Sequence, residues 1–165
     1  MKKCIPLVAL LIAIALVTPL DAQGIRNPKL SKQDQDSAQS LAREVGGNQA
    51  ELIYATRFDV IEKGKFDCLL VVYAKPGPQA KDYFAFVARE RKNYILSVDK
   101  QGRTLPAGDQ FLRIGLRYQP GGPSILRLMG SFADPSKGEL QRNIDYQFNG
   151  SDFVVAGQST SSIPK

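Results

Sequence analysis

Residues 140–157 read LQRNIDYQFNGSDFVVAG, and this stretch decides the fold class. Apolar and polar side chains alternate through its first half, which places Leu140, Ile144 and Tyr146 on one face. Such alternation is typical of a β-strand with one buried face. Asn149-Gly150 then gives the strongest short signal for a hairpin, because both central residues of a type I′ turn need a positive φ. The stretch therefore predicts two antiparallel strands joined by a tight turn.

The same period of two continues through the rest of the chain from Glu51 onward. Segments rich in Gly, Pro, Asn and Asp interrupt it and act as turns. The predicted strands are 51–60, 66–74, 83–89, 93–99, 111–118, 124–132, 140–148 and 152–157. Eight short antiparallel strands indicate an all-β domain, either a sandwich or a closed barrel. Residues 66–74 are apolar on both faces, so we expect this strand to be central and covered on both sides.

A short helix is predicted before the first strand. Ser31 with Asp34 resembles a capping pair, and Gly46-Gly47 is a stop signal. The apolar residues at helical spacing are Ala38, Leu41, Ala42 and Val45. A single narrow apolar stripe indicates that the helix packs on another element. The predicted organisation is a lead-in and helix over residues 23–50, the β domain over 51–157 and a disordered tail over 158–165.

Residues 1–22 have the pattern of a secretory signal peptide. Met1-Lys2-Lys3 supplies the positive start, Ile5–Val17 is the apolar run, and Ala22 precedes the expected cleavage site. The run is shorter than the roughly 20 apolar residues that a spanning helix needs. We therefore expect an exported protein, periplasmic or secreted, with no transmembrane span after cleavage.

Composition excludes several kinds of chemistry. The chain has no histidine and two cysteines, of which Cys4 belongs to the predicted signal peptide. Histidine is the commonest general base and metal ligand, and one cysteine cannot complete a zinc site. We therefore predict no cofactor, no metal and no enzymatic activity, with a mechanism based on two carboxylates as the remaining catalytic alternative. Cys68 has apolar neighbours, so we expect it to be buried and inert.

Residues 59–67 read DVIEKGKFD and precede an apolar strand. The segment resembles the calcium loop of FG-GAP or VCBS repeats, which exported β-propeller proteins contain. Asp59, Gly64 and Asp67 match the first, sixth and ninth positions of that loop, whereas Ile61 and Lys63 stand where the family has oxygen ligands. The resemblance implies a metal-free binding or structural module, and we expect no calcium binding because calcium takes six to eight oxygen ligands. The same residues also fit an ordinary hairpin with a glycine turn.

Alternation also predicts a basic surface. Arg113 and Arg117 lie on the face opposite Leu112, Ile114 and Leu116, and Arg127 on the next strand can join them if the register allows. The formal net charge of the chain is +6. An exported basic protein meets anionic envelope polymers, lipid head groups and acidic protein surfaces. Nucleic acid is a less suitable partner, because no aromatic residues are interleaved with the arginines.

These observations predict a non-catalytic binding or structural accessory domain of the cell envelope, with Arg113, Arg117 and Arg127 as the candidate binding residues. Two alternatives stay open. The protein could inhibit a foreign enzyme through a protruding loop, for which residues 75–79 and 118–123 are the candidates. A carboxylate-dependent hydrolase is the other alternative, and it would need two acids that converge in a pocket.

Overall fold

One helix and eight strands make up the part of the chain that this computed structural model describes, which is residues 30–59, 67–78, 80–117 and 123–163. The all-β domain with a helix before it is confirmed. The bounds are α1 Lys32–Gly46, β1 Glu51–Phe58, β2 Cys68–Pro76, β3 Lys81–Arg89, β4 Lys92–Leu96, β5 Gln110–Arg117, β6 Ile125–Asp134, β7 Gly138–Phe148 and β8 Phe153–Ser162.

The strands form two antiparallel sheets that pack face to face. β1–β4 make the N-terminal sheet and β5–β8 make the C-terminal sheet, and each strand is paired only with its neighbours in sequence. The described strands do not close into a ring, so the fold is a sandwich and the closed-barrel alternative is wrong. Leu70 and Val72 from one sheet meet Leu128, Ile144 and Tyr146 from the other in a shared core. Burying each such side chain stabilises the fold by about 1.5–3 kcal/mol.

The central position of β2 follows from its two apolar faces. Leu70 and Val72 point into the sandwich core, whereas Leu69, Val71 and Tyr73 point to the opposite face, where α1 packs. Residues 68–74 are all buried. The prediction of a strand covered on both sides is therefore confirmed.

Capping and close packing fix α1 on the N-terminal sheet. The Ser31 hydroxyl accepts a hydrogen bond from the Asp34 backbone amide at 3.1 Å, as the sequence predicted. At the other end, a Cβ atom on Gly46 would lie 2.5 Å from the Tyr73 ring, so only glycine allows this approach. The Arg57 guanidinium donates to the Asp34 carboxylate at 2.6 Å. This ion pair ties the start of the helix to β1.

The connection over residues 97–109 joins the two sheets and fills one end of the sandwich. Leu105 is fully buried in the shared core. The backbone amide of Thr104 donates to the Tyr83 carbonyl at 2.8 Å, and its carbonyl accepts from the Tyr146 hydroxyl at 3.0 Å. Thr104 therefore bridges β3 and β7, one strand from each sheet.

The C-terminal strand extends further than the sequence pattern predicts. β8 continues to Ser162, and residues 157–162 pair in register with residues 140–145 of β7. The prediction of a disordered tail is therefore wrong for residues 158–162. Their side chains are exposed on both faces, which explains why no apolar alternation marks this part of the strand.

The turn between β7 and β8 differs from the predicted type. Phe148 pairs with Phe153, which leaves four residues in the loop instead of two. The side chain of Asn149 accepts hydrogen bonds from the backbone amides of Ser151 and Asp152, and only Gly150 in this loop has a positive φ. The predicted hairpin is confirmed, but the type I′ geometry is wrong because the side chain of Asn149 organises the loop.

The predicted signal peptide, the rest of the lead-in up to residue 29 and Gly64 lie outside the described residues. Within the described ranges, no helix is both long enough and apolar enough to cross a bilayer.

Candidate functional site

The outer face of the C-terminal sheet carries the three candidate arginines. Leu126 and Leu128 of β6 point into the core, so Arg127 between them points outward. The register pairs residues of β5, β6, β7 and β8 into cross-strand rows. We call three of these rows the arginine face: Arg113–Met129–Asn143–Ser159, Gly115–Arg127–Asp145–Gly157 and Arg117–Ile125–Gln147–Val154.

Arg127 is joined to Asp145, which lies directly opposite on β7. Its Nε donates to one carboxylate oxygen at 2.6 Å and its Nη2 to the other at 2.7 Å. These hydrogen bonds raise the pKa of Arg127, so its charge is permanent. The pattern placed Arg127 on the correct face, but it could not show this partner. Arg127 is therefore an ion-paired element of the face and not a free cation.

Arg113 and Arg117 are exposed and have no acidic partner among the described residues. The Nε atom of Arg113 donates only to the Met129 sulfur, at 3.3 Å, which is a weak acceptor. The two arginines are four residues apart on β5, so their Cα atoms are about 13 Å apart along the strand. Asp145 is the one acidic residue in the three rows, which leaves the arginine face with a surplus of two positive charges.

Uncharged polar groups occupy the β7 and β8 side of the arginine face. The Nδ2 of Asn143 donates to the Ser159 hydroxyl at 3.3 Å, and the Nε2 of Gln141 in the adjoining row donates to the side-chain oxygen Oδ1 of Asn143 at 2.7 Å. Gln147 lies four residues beyond Asn143 on the same face of β7. Glu139 is the nearest acid beyond the three rows on β7, and it is about 13 Å from the Asn143 row.

The two glycines in the middle row produce different local surfaces. A Cβ atom on Gly115 would lie 3.1 Å from the Met129 methyl carbon, so the space above this glycine is already filled. A Cβ atom on Gly157 would have no described atom within 4 Å. In the middle row of the arginine face, Met129 therefore covers Gly115, whereas an opening remains above Gly157.

In the described part of the chain, no helix packs over the arginine face. The contacts of α1 are with β1 and β2, on the outer side of the N-terminal sheet. The two outer faces of the sandwich therefore differ, since one is covered by a helix and the other presents side chains of four strands.

A second surface, the groove between α1 and the β3–β4 hairpin, has a volume of about 460 Å³. It contains the basic turn of the β3–β4 hairpin, with Arg89, Arg91 and Lys92. Its lining has four acidic and four basic side chains, and Arg57 donates to Asp34 at 2.6 Å and Arg89 to Asp67 at 3.0 Å. The groove therefore has no net charge that would attract a charged ligand.

The two ends of the segment that resembles a calcium loop lie in the described chain. Asp59 is almost fully buried. One carboxylate oxygen of Asp67 accepts from Arg89 at 3.0 Å, and the other is 3.5 Å from the Cys68 sulfur. In the described ranges, no three acidic or cysteine side chains come together as metal ligands. The kinship with the repeat family and the failure to bind calcium remain predictions.

The thiol of Cys68 has no exposed surface, so its predicted burial is confirmed. Burial, together with the neighbouring Asp67 carboxylate, raises the pKa of the thiol to about 12. A thiol that stays protonated at neutral pH is a poor nucleophile.

The candidate loops of an inhibitor are only partly described, since residues 79 and 118–122 lie outside the described ranges. In the first loop, the Lys75 ammonium lies over the Phe84 ring at 4.9 Å, and the Gly77 amide donates to the Ala80 carbonyl at 2.7 Å. The basic side chain of this loop therefore folds back onto the N-terminal sheet.

Similarity to characterised proteins adds no constraint on the site. No protein-family model matches this chain, and no curated protein or solved structure is significantly similar to it. The functional argument therefore depends on the geometry of the arginine face.

Proposed function

We propose that this protein is a non-catalytic binding domain of the cell envelope that holds an anionic ligand on the arginine face. The observation that carries the proposal is the placement of Arg113 and Arg117. Both are exposed on a sheet face that α1 does not cover, and neither has an acidic partner in the described chain. A guanidinium presents several N–H donors in a plane and suits carboxylate, sulfate and phosphate oxygens.

The Arg127–Asp145 pair supports this proposal by fixing the surface between the two arginines. A bidentate pair across neighbouring strands has one strongly preferred geometry. Its side chains are partly shielded, with 35% and 18% of their surfaces exposed. A ligand on Arg113 and Arg117 would therefore meet an ordered surface and lose less conformational entropy than on a mobile one.

The proposal is tested by changing Arg113 and Arg117 together to Gln. We expect the double variant to melt at nearly the wild-type temperature, because both side chains are exposed and exposed charges contribute little to stability. Retention on immobilised dextran sulfate at low salt should fall about tenfold, since each lost charge contact weakens binding by about 0.5–1 kcal/mol or more. Wild-type retention should decrease with added salt, because charges are screened within about 10 Å at 0.1 M.

The matched control changes Arg43 and Lys100 to Gln, which removes the same charge from other exposed surfaces. This control should bind dextran sulfate as the wild type does. Equal weakening of both double variants would show that net charge alone drives binding, and it would contradict the proposal. Absence of wild-type binding at low salt would also contradict it.

A further inference from the structure

We infer that the ligand of the arginine face is an acidic polysaccharide, and this inference rests on the proposed function. Two features of the face identify that chemistry. Its cations are few and widely spaced on β5 and β6, and the β7 and β8 positions of the same rows carry uncharged amide and hydroxyl groups. A sugar chain with carboxylates or sulfates at intervals has the complementary pattern.

The spacing of the arginines indicates a polymer and not a small anion. The Cα atoms of Arg113 and Arg117 are about 13 Å apart along β5, and the Nε of Arg113 is directed across the sheet to the Met129 sulfur and not along the strand towards Arg117, so the two guanidiniums are presented as separate contacts. Gly115 lies between them on the strand and Arg127 lies beside it, already paired. Each of these arginines therefore contacts its own anionic group on an extended ligand that carries more than one anion.

The groups on β7 and β8 suit the uncharged part of such a ligand. Gln147 has an amide with donors and an acceptor, and the exposed Ser159 has a hydroxyl that can do both, whereas Asn143 is buried and holds Ser159 in place through its own amide. They lie about 10–14 Å across the sheet from β5, two to three strands away. Sugar hydroxyls are also both donors and acceptors, so a sugar ring bound near β7 satisfies these side chains without adding charge to the face.

A membrane surface is a poorer match. Segments that bind anionic head groups usually contain clusters of about 4–8 basic residues. The arginine face has two cations without an acidic partner in the described chain. Of its apolar side chains, Ile125 and Met129 are 8% exposed each and cannot insert between lipids, which leaves Val154 as a single exposed apolar contact. Lipid binding is therefore an alternative outcome of the experiment.

The experiment compares three probes on the wild-type protein: polygalacturonate, uncharged dextran and vesicles of phosphatidylglycerol. We expect binding to polygalacturonate, no binding to dextran and at least tenfold weaker binding to the vesicles at the same salt. Vesicle binding as strong as polygalacturonate binding, and equally dependent on Arg113 and Arg117, would overturn the polysaccharide inference while leaving the proposed function intact. If binding to every probe is the same in the wild type and in the Arg113 and Arg117 double variant, both the polysaccharide inference and the proposed function are overturned.

Two further variants test the uncharged part of the face without changing its charge. Changing Gln147 and Ser159 together to Ala should weaken polygalacturonate binding several-fold, because their hydrogen bonds to sugar hydroxyls are lost, and should leave binding to polyphosphate, which has no sugar hydroxyls, unchanged. Gly157→Trp should block the opening at β8, and the fold should tolerate it because a Cβ there meets no described atom. Gln101→Trp, in an exposed turn, is its control. Unchanged polygalacturonate binding in both face variants would overturn the inference.

Discussion

The thiol of Cys68 links one residue directly to the pH dependence of stability. Its pKa is raised to about 12 by burial, from an ordinary value of 9.0. The folded protein therefore keeps this proton at a pH where the unfolded chain loses it. The resulting stabilisation is complete below pH 9 and is lost as the pH rises towards 12.

We predict that the wild type loses about 1.4 kcal/mol more stability than Cys68→Ala between pH 7 and pH 10, because only the wild type has this thiol. Urea unfolding of both proteins at the two pH values measures the difference, and other titrating groups cancel in the comparison. Equal pH dependence would show that the thiol is not desolvated. Labelling of the native thiol as fast as in denaturant would lead to the same conclusion.

Arg142 is the second residue with a specific role in stability. It belongs to the core-facing alternation of β7, and its Nε donates to the buried Asp109 carboxylate at 2.6 Å. Its guanidinium also lies over the Phe132 ring at 4.3 Å. Burial raises the pKa of Asp109 although Arg142 opposes this shift. The carboxylate therefore depends on Arg142 to remain charged in the folded state.

We predict that Arg142→Gln lowers stability by about 3–5 kcal/mol at pH 7, because it leaves a buried carboxylate without its partner. Adding Asp109→Asn should restore part of the loss. Stability of the single variant should also recover as the pH falls, because a raised carboxyl pKa means that the folded state takes up the proton first. Thermal melts of the three proteins at pH 7 and pH 4 test this. A double variant no more stable than Arg142→Gln would contradict it.

Among the elements, the β3–β4 hairpin has the least usual backbone. Arg89 pairs with Lys92, so Glu90 and Arg91 alone form the turn, and their φ angles are 50° and 68°. These are the positive values that a type I′ turn requires and that side chains with a Cβ disfavour. The predicted strands 83–89 and 93–99 indicate a turn here but not its type, whereas the Asn149-Gly150 pair that did indicate a type I′ turn forms a longer loop. Turn type follows from strand register here, and register follows from which residues the core buries.

We predict that Arg91→Gly raises stability by about 0.5–1 kcal/mol, because relief of left-handed strain exceeds the added entropy of the unfolded chain. Lys100→Gly, in a turn without a positive φ at that position, should instead lower stability slightly. Denaturant midpoints of both variants provide the test. A stability loss for Arg91→Gly would show that its side chain has a structural role.

At the C-terminal end of the chain, truncation of β8 tests the predicted end of the β domain at residue 157, which the structure moves to Ser162. Ending the chain after Gly157 removes the pairing of residues 158–162 with β7. We expect a loss of about 1–3 kcal/mol, from several exposed backbone hydrogen bonds. A chain that ends after Ile163 is the control and should melt as the full chain does. Equal melting temperatures for both truncations would restore the disordered-tail prediction.

At the scale of the whole molecule, the sequence predicts the strands but not how they divide into sheets. Period-two alternation is the same in both sheets. It therefore identifies strands and their inward faces but does not show which sheet each strand belongs to. The division depends on the 97–109 connection, where Thr104 and Leu105 are buried by contacts with strands distant in sequence. For the same reason, alternation placed Arg113, Arg117 and Arg127 on one face, whereas the pairing of Arg127 with Asp145 depends on a register set by the core.

Pairing of each strand only with its sequence neighbours has a consequence for folding kinetics. Every ladder closes across a connection between adjacent strands, so little loop-closure entropy is lost before contacts form. Sheets built from local pairs fold faster than sandwiches in which distant strands must meet first. The last strand of the N-terminal sheet ends at Leu96. During synthesis, which starts at the N-terminus, this sheet can therefore form before β5 leaves the ribosome. Stopped-flow refolding should therefore show a main phase whose rate lies at the fast end of the range for all-β domains. Slower phases limited by proline isomerisation should follow it.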